Sequence, residues 1–123
     1  MNEFFPDDEK LYRAVYPPEQ ADMFWKDDGS VSSAAFSDPN GLSVERGNFR
    51  TDDAVIEEMK KQFTGRVVSV NAKQCRDVQA VIRYLPTRRS AYHSEIHGSK
   101  EKKLLTKSQR RRLAEVAKIE YMG

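Results

Sequence analysis

The sequence predicts a single α+β domain over residues 1–123, with a small mixed sheet and two main helices. Three observations support this fold class. Short β-branched or aromatic segments are bounded by turn residues, as in strands, and two longer segments repeat apolar residues at helical spacing. The order of strands, helix, strands and helix is typical of α+β domains. No linker-like stretch divides the chain, and its length is near the commonest size of one domain.

The first half is expected to contain short elements separated by turns. Residues 1–10 are expected to be flexible or peripheral. The strand over residues 11–16 ends at two prolines, since proline cannot donate a hydrogen bond to a sheet. A short helix over residues 19–26 and an extended or irregular segment over residues 31–36 follow. A turn of Asp, Pro, Asn and Gly then precedes a short strand over residues 42–44.

The first main helix is predicted to begin after Thr51, because a threonine side chain can accept a hydrogen bond from the first helical turn. Acidic residues follow it, where the positive end of the helix dipole favours negative charge. Gly65 suits the left-handed residue that ends such helices. The apolar stripe of this helix consists of Val55, Ile56, Met59 and Phe63.

The second half is expected to contain further strands and the last helix. Residues 66–70 form a β-branched strand, residues 78–85 fit either a strand or a short helix, and residues 90–97 are predicted to be extended. The last helix begins near Thr106, which forms a capping box with Gln109. Its predicted apolar stripe consists of Leu113, Val116, Ala117 and Tyr121.

Composition narrows the cellular setting. Cys75 is the one cysteine and cannot form an internal disulfide, so we expect a reducing, cytoplasmic setting. No apolar run approaches the roughly 18–20 residues that a membrane-spanning helix needs. The N-terminal residues lack the apolar core of a secretion signal. A membrane partner is therefore not expected.

Charge is divided unevenly between the two halves of the chain. Residues 1–58 contain 14 acidic and 5 basic side chains, a formal charge of −9. Residues 59–123 contain 5 acidic and 16 basic side chains, a formal charge of +11. Such asymmetry suggests one end that faces a polyanion and an acidic end that repels polyanions or binds a basic partner. The alternative is that the two halves neutralise each other in the fold.

A basic segment supports the polyanion hypothesis. Nine basic residues lie between Arg88 and Arg112, against two acidic ones. Four of them fall in the first turns of the last helix, where the dipole disfavours an exposed cation by roughly 0.3–1 kcal/mol. Acidic neighbours or a bound anion would offset this cost. A solvated face with internal ion pairs and a docking surface for an acidic protein are the alternatives. The candidate residues for binding phosphate or nucleic acid are Arg88, Arg89, Lys107, Arg110, Arg111 and Arg112.

The segment from Tyr92 to His97 contains both histidines and is the one candidate for chemistry. If it is extended, His93, Glu95 and His97 share one face, because side chains alternate along a strand. Such a face can supply a base with an orienting acid, or it can simply be a polar outward face. The two histidines would lie about 13 Å apart, too far for one metal ion without distortion. A neighbouring pair, about 6–7 Å apart, could bind a metal only with a further ligand such as Cys75 or Asp77, and nothing in the sequence brings these near, so no metal site is predicted. The sequence contains no Gly-rich phosphate loop, no Gly-x-Ser-x-Gly motif and no nucleophile with an adjacent base.

Four short motifs carry a resemblance to a known family: Leu-Tyr-Arg at 11–13, Ser-Ser-Ala-Ala-Phe at 32–36, Leu-Ser-Val at 42–44 and a His-containing segment at 91–98. Over residues 11–120 the chain resembles a family of small bacterial proteins to which no function is assigned. In that family a tyrosine-arginine strand precedes the Ser-Ala-Ala-Phe segment and the Leu-Ser-Val strand. A His-containing strand there ends in glycine before the last helix. This resemblance implies no activity.

The chain is also similar, more distantly, to ADP-ribosyltransferase-type folds that consume NAD. These place an arginine on a first strand, a serine on a short strand before a helix and a glutamate on a late strand. The resemblance implies that Arg13 binds cofactor phosphate, that Ser43 is the strand serine and that Glu95 is the catalytic acid. His93 joins this catalytic set. NAD is expected as a cofactor only if this resemblance holds, and no cofactor is otherwise predicted. The chain departs from the family pattern because it lacks a clear motif for the nicotinamide pocket.

Three hypotheses on function follow. The leading one is a small cytoplasmic accessory protein of a bacterial defence or toxin–antitoxin system, which binds nucleic-acid backbone or a phosphorylated ligand through the basic segment. The second is an enzyme that acts on NAD or a nucleotide through the residues that the ADP-ribosyltransferase resemblance implies. The third is a structural subunit whose acidic half docks on a protein partner. The sequence leaves open whether the protein is an enzyme.

Overall fold

Six strands and three helices make up the computed structural model, which describes residues 1–123. The strands are β1 (Lys10–Val15), β2 (Leu42–Arg46), β3 (Arg66–Asn71), β4 (Val81–Tyr84), β5 (His93–His97) and β6 (Lys118–Tyr121). The helices are α1 (Asp52–Lys60), α2 (Ala72–Asp77) and α3 (Lys107–Val116), with 3₁₀ turns at Asp22–Phe24 and Ser33–Phe36. All six strands join one sheet in the order β4-β5-β2-β1-β3-β6. The predicted α+β class is confirmed. None of the helices has the length and apolar character to cross a membrane.

Every hydrogen-bonded pair of strands is antiparallel, whereas the sequence predicts a mixed sheet. The difference arises because β1 lies between β2 and β3 and is antiparallel to both. Strands β2 and β3 therefore run in the same direction, joined by α1, without pairing with each other. Strands β5 and β6 are joined by α3 in the same manner. Two strands joined by a helix therefore run in the same direction, as in a parallel crossover. They form no hydrogen bonds with each other, because other strands lie between them in the sheet.

The two main helices begin where the sequence predicts. The Thr51 hydroxyl accepts a hydrogen bond from a backbone N–H in the first turn of α1, at 3.2 Å. At the start of α3, the backbone N–H of Gln109 donates to the Thr106 hydroxyl at 3.1 Å, and Thr106 N–H donates to Gln109 Oε1 at 2.8 Å. The short helix α2 is not predicted, although Asn71 and Gln74 cap it with the same reciprocal pair of hydrogen bonds.

Several segments differ from the sequence prediction. Residues 19–26 contain only a 3₁₀ turn, and a second such turn occupies most of residues 31–36. The ambiguous segment over residues 78–85 contains strand β4. Tyr121 lies in β6 rather than on the last helix, because the chain leaves α3 after Val116 and pairs with β3 at the edge of the sheet.

The two faces of the sheet have different cover because side chains alternate along each strand. Leu11 belongs to the main core of 19 buried residues, to which α2, α3 and the second 3₁₀ turn contribute. Tyr12 points to the opposite face, where Val55 and Met59 of α1 pack against it. Helix α1 contacts β1, β3 and β6 on this face, so the part formed by β2 and β5 carries mostly polar side chains.

A buried ion pair attaches the first ten residues, which were expected to be flexible or peripheral, to the sheet. Nε and Nη2 of Arg46 donate to the two carboxylate oxygens of Glu9 at 2.8 and 2.9 Å. The same guanidinium donates to the carbonyls of Asn2 and Phe4 at 2.6 and 2.9 Å. Phe5 is buried in the main core. These contacts make the N-terminal segment part of the packed structure.

Candidate functional site

A pocket of about 310 Å³ is lined by residues of β1 and β2 at the point where these strands separate. The β1–β2 ladder ends at the pair Tyr12–Glu45, while β1 stays paired with β3 along its full length. The Arg13 side chain spans the gap, because Nε donates to the Ala35 carbonyl at 2.7 Å and Nη1 donates to the Ser43 carbonyl at 3.0 Å. The guanidinium thus provides hydrogen-bond donors to one carbonyl of β2 and one of the second 3₁₀ turn.

The pocket combines an apolar wall with polar groups. The end of α1 and the chain after it supply much of the apolar wall, and β1, β2 and β5 supply polar side chains. The lining residues are Tyr12, Arg13, Ala14, Tyr16, Ser43, Val44, Glu45, Met59, Gln62, Phe63, Thr64 and His93. Half of them are hydrophobic, and a mostly apolar hollow with a few convergent polar groups is typical of small-molecule sites.

Ser43 and His93 contact each other in this pocket. His93 Nε2 lies 3.3 Å from Ser43 Oγ, and His93 Nδ1 lies 2.8 Å from the Leu85 carbonyl oxygen. Because a carbonyl oxygen can only accept a hydrogen bond, the contact with Leu85 assigns the proton of neutral His93 to Nδ1. Nε2 can then accept the hydroxyl proton of Ser43. The sequence shows no such neighbouring nucleophile and base, since the pairing of β2 with β5 joins residues that are 50 positions apart.

Glu45 lies directly across from His93 in the β2–β5 register. Side chains of directly opposed residues share a face, with Cβ atoms about 4.5–5.5 Å apart. The Glu45 carboxylate is largely buried and accepts a hydrogen bond from the Ser90 hydroxyl at 2.6 Å. The register thus places an acidic side chain on the face of the imidazole, without an ion pair or hydrogen bond between the two.

Glu95 shares the face of Ser43 but does not line the pocket. Its Oε1 lies 2.8 Å from His97 Nε2, so the carboxylate is already engaged. Gly41 packs against this pair with a φ of +100°, and a Cβ at that position would overlap Glu95 Oε1. The structure thus brings three of the four predicted catalytic residues into one pocket and leaves Glu95 paired with His97.

Arg13 is the cation of the pocket. Burial lowers the pKa of its guanidinium, and the negative charge of Asp38 acts in the opposite direction. Arginine nevertheless remains cationic at neutral pH, because its intrinsic pKa is far above 7. Nε and Nη1 bind backbone carbonyls, whereas Nη2 has no hydrogen-bond partner in the protein. Arg13 therefore retains donor capacity for a ligand that carries or develops negative charge.

A second candidate site is the basic surface around the start of α3, here termed the basic face. It consists of Lys100, Lys102, Lys103, Lys107, Arg110, Arg111 and Arg112. All of these residues are exposed except Arg110, which is partly buried. None of them takes part in an ion pair. Arg110 donates to the Leu105 carbonyl at 2.6 Å and Arg112 to the Asp77 carbonyl at 3.4 Å. The remaining cations have no hydrogen-bond acceptor within the protein.

Arg88 and Arg89 lie apart from the basic face. They belong to the turn between β4 and β5, whereas the capping glutamine of α3 binds the Gly98 carbonyl just beyond the other end of β5. Both arginines border a hollow that adjoins Ser43 and His93. The six residues predicted to bind phosphate or nucleic acid therefore fall into two groups.

The remaining reactive groups offer no further site. No set of three or more His, Cys, Asp or Glu side chains is arranged to hold a metal ion. Cys75 is buried in the main core, and burial raises the pKa of its thiol to about 12. A thiol in such surroundings stays protonated and is a poor nucleophile.

Comparison with known proteins adds no relative. No protein-family model, no curated protein and no solved structure matches this chain. The two resemblances drawn from sequence motifs stay predictions. The function therefore has to follow from the geometry and charge of the pocket and of the basic face.

Proposed function

We propose that this protein binds nucleic-acid backbone or a phosphorylated ligand through the basic face. One observation carries the proposal: none of the seven cations of this surface has an ion-pair partner. Elsewhere in the second half of the chain the exposed cations are divided. Lys60, Lys61, Lys73 and Arg76 have carboxylate partners, whereas four scattered cations do not, namely Arg83, Arg88, Arg89 and Lys118. The cations around α3 thus remain available to an external anion.

The position of these cations has a cost that a bound anion would offset. Lys107 is the first residue of α3, and no acidic residue lies in the first turn. The helix dipole is positive there, so each exposed cation costs roughly 0.3–1 kcal/mol. The capping box uses the backbone N–H groups of Thr106 and Gln109 and leaves the two between them free. A phosphate at this position would meet free N–H groups, the dipole and guanidinium groups together.

Internal neutralisation accounts less well for the charge distribution. The ion pairs between the acidic and the basic half involve other cations, in the pairs Lys10–Glu120, Lys60–Glu57, Lys61–Glu58 and Arg76–Asp7. All four contacts lie outside the basic face. A ligand with negative charge is therefore favoured over neutralisation by the N-terminal half, and a cytoplasmic polyanion fits the single free cysteine.

The NAD hypothesis has less geometric support. It requires Glu95 to face a ligand that Arg13 and Ser43 also contact. Glu95 instead binds His97 at 2.8 Å and lies outside the lining of the pocket. The docking hypothesis for the acidic half rests on its charge alone. The basic face therefore provides the best-supported function.

Fluorescence anisotropy with a labelled oligonucleotide of about 20 nucleotides tests the proposal. Affinity should fall steeply as salt rises, with a slope of about −0.7 to −0.9 in log K against log salt for each phosphate contacted. The double variant Lys107→Gln/Arg111→Gln should reduce the magnitude of that slope by about 1.4–1.8 for the same reason. Because both side chains are exposed, the folded state should be unaffected.

A matched control removes the same charge elsewhere. Lys26 and Lys118 are exposed lysines without an ion pair and lie outside the basic face. The variant Lys26→Gln/Lys118→Gln should leave the slope within error of the unmodified protein. Salt-independent binding, or equal losses in the two double variants, would show that the basic face does not hold the ligand.

Arg88 and Arg89 distinguish a long ligand from a compact one. The variant Arg88→Gln/Arg89→Gln should lower the slope further only if one polyanion spans both groups of cations. Inorganic phosphate or pyrophosphate that competes at low salt would instead indicate a compact phosphorylated ligand. Either result identifies the size of the partner while the basic-face variant tests the site itself.

A further inference from the structure

The contact between Ser43 and His93 has no role in binding a polyanion at α3. Helix α3 packs on the main-core face of the sheet, whereas Ser43 and His93 lie on the face that α1 partly covers. Their side chains project from paired strands, which hold a reacting pair more rigidly than loops do. The Ser43–His93 pair therefore points to a function of the pocket that is separate from polyanion binding.

The register of β2 and β5 places the two side chains. Ser43 is opposite Glu95 and Glu45 is opposite His93, so Ser43 and His93 are diagonal neighbours on one face. Diagonal neighbours are about 7–8 Å apart at the backbone, a distance that an imidazole ring can span. The observed 3.3 Å between Nε2 and Oγ is long for a hydrogen bond, but such contacts tighten when substrate binds.

His93 is oriented from its other side. The backbone N–H of Leu85 donates to the His93 carbonyl at 3.1 Å, and His93 Nδ1 donates to the Leu85 carbonyl at 2.8 Å. The backbone bond holds the two segments together, and the contact of Nδ1 sets the tautomer, which leaves Nε2 as the acceptor that faces Ser43. A base held by a third group is the arrangement that activates serine nucleophiles.

The pocket also holds a cation close to the serine. Arg13 Nη1 donates to the backbone carbonyl of Ser43 itself at 3.0 Å, and Nη2 is without a protein partner. Because Nη2 is not bound by the protein, Arg13 can donate a hydrogen bond to a carbonyl oxygen that gains negative charge under attack by Ser43. Met59 and Phe63 supply apolar surface on the opposite wall.

We propose that Ser43 is the nucleophile, and His93 the general base, of a hydrolase acting on small carboxylic esters with an apolar acyl group. Ser43 Oγ bonds to the ester carbonyl carbon while its proton moves to His93 Nε2. The carbon–oxygen bond to the alcohol then breaks, and the alcohol leaves with that proton. Water attacks the acyl-serine, gives a proton to Nε2 and releases the carboxylic acid, after which the proton returns to Oγ. The net reaction consumes one ester and one water and involves no redox change.

Covalent labelling with a fluorophosphonate tests the nucleophile, because such reagents modify activated serines. Mass spectrometry of the digested protein should find the adduct on Ser43, and p-nitrophenyl butyrate should be hydrolysed. Ser43→Ala should remove both signals. The control Ser37→Ala changes an exposed serine outside the pocket and should retain both.

His93→Gln tests the base. Its labelling rate at Ser43 should fall by about 100-fold or more, since positioned general bases contribute factors of about 10²–10⁴. The labelling rate of the unmodified protein should be higher at alkaline than at acidic pH, because only a neutral base can accept the serine proton, and the variant should lose this dependence. Circular dichroism confirms that each variant is folded.

Two outcomes would overturn the proposal: labelling of Ser43 no faster than that of exposed serines in the folded protein, or equal labelling rates with and without His93. The basic-face variant Lys107→Gln/Arg111→Gln should label normally. The labelling of Ser43 and the binding of a polyanion are therefore tested independently, and failure of either proposal leaves the other untouched.

Discussion

The ion pair between Arg46 and Glu9 should be the most sensitive electrostatic contact of the fold. The two side chains are 1% and 4% exposed, and the guanidinium fork meets both carboxylate oxygens. The substitution Glu9→Gln keeps the size of the side chain but removes its charge. Arg46 would then be a buried cation whose remaining partners are neutral carbonyls and the rings of Phe5 and Tyr84.

Removing one partner of a buried ion pair costs about 3–5 kcal/mol, because the other charge is left uncompensated in the interior. For the 123 residues of this chain, an unfolding entropy of about 2.1 cal/mol/K per residue amounts to about 0.26 kcal/mol/K. The expected loss of Tm is therefore about 12–19 °C. Scanning calorimetry measures it directly, and urea unfolding followed by circular dichroism should give the same loss of free energy with an unchanged m-value.

The control is an exposed ion pair that also fastens the N-terminal segment. Asp7 binds Arg76 at 2.8 Å, with side chains that are 68% and 41% exposed. Because solvent screens such a pair, Asp7→Asn should cost less than about 1 kcal/mol. The double variant Glu9→Gln/Arg46→Met should recover part of the stability lost by Glu9→Gln, since it removes the buried cation as well. Equal Tm losses for Glu9→Gln and Asp7→Asn would refute the reasoning.

Three further predictions follow from local environments. The hydrogen bond from the Tyr12 hydroxyl holds the pKa of Asp52 below its usual range. The ionised carboxylate therefore stabilises the fold above its unfolded-state pKa, and this contribution is lost as the pH falls. In urea unfolding measured across acidic pH, the free energy of unfolding of Asp52→Asn should fall less steeply with decreasing pH than that of the unmodified protein. The thiol of Cys75, with a pKa raised to about 12, should react with a disulfide reagent at pH 8 roughly 100-fold or more slowly in the folded than in the urea-unfolded protein, and fast labelling of the folded state would contradict its burial. Gly41→Ala should cost more free energy of unfolding than Gly29→Ala, because both residues have positive φ but only a Cβ at Gly41 would meet another group; equal costs would show that backbone strain alone matters.

Local signals in the sequence predict the starts of α1 and α3 correctly. Thr51 and Thr106 are bound to backbone N–H groups within three residues, so neighbours along the chain contain all the information. The end of α3 is predicted less well. Tyr121 continues the helical spacing, yet the chain forms β6 because strand β3 offers hydrogen-bond partners that lie about 50 residues away in sequence. Tertiary pairing overrides a local apolar pattern in such cases.

The pocket is harder to predict than the helices for the same physical reason. Alternation along β5 predicts that His93 and Glu95 share a face, which the structure confirms. The partner of each residue depends on the register of β2, and a shift by one position would move Ser43 to the other face. Arg13 enters the pocket only because the β1–β2 ladder stops after two pairs. Neither the register of β2 nor the end of the β1–β2 ladder can be predicted from a single sequence, whereas the charge of the basic face can be counted from its residues.

The pocket and the basic face lie on different sides of the sheet, and this arrangement makes a test of their connection possible. Helices α1 and α3 cover opposite faces of the sheet, and the pocket and the basic face therefore do not overlap. Arg88 and Arg89, which lie outside the basic face, are the cations that could link the two sites, because they border the hollow beside Ser43 and His93. A polyanion that reached these two arginines would cover the entrance to the pocket. Oligonucleotide should then slow fluorophosphonate labelling of Ser43 in the unmodified protein and leave the rate unchanged in Arg88→Gln/Arg89→Gln. Slowing that persists in this variant would mean that the ligand reaches the pocket by another route, because no other cation of the β4–β5 turn is available to hold it there.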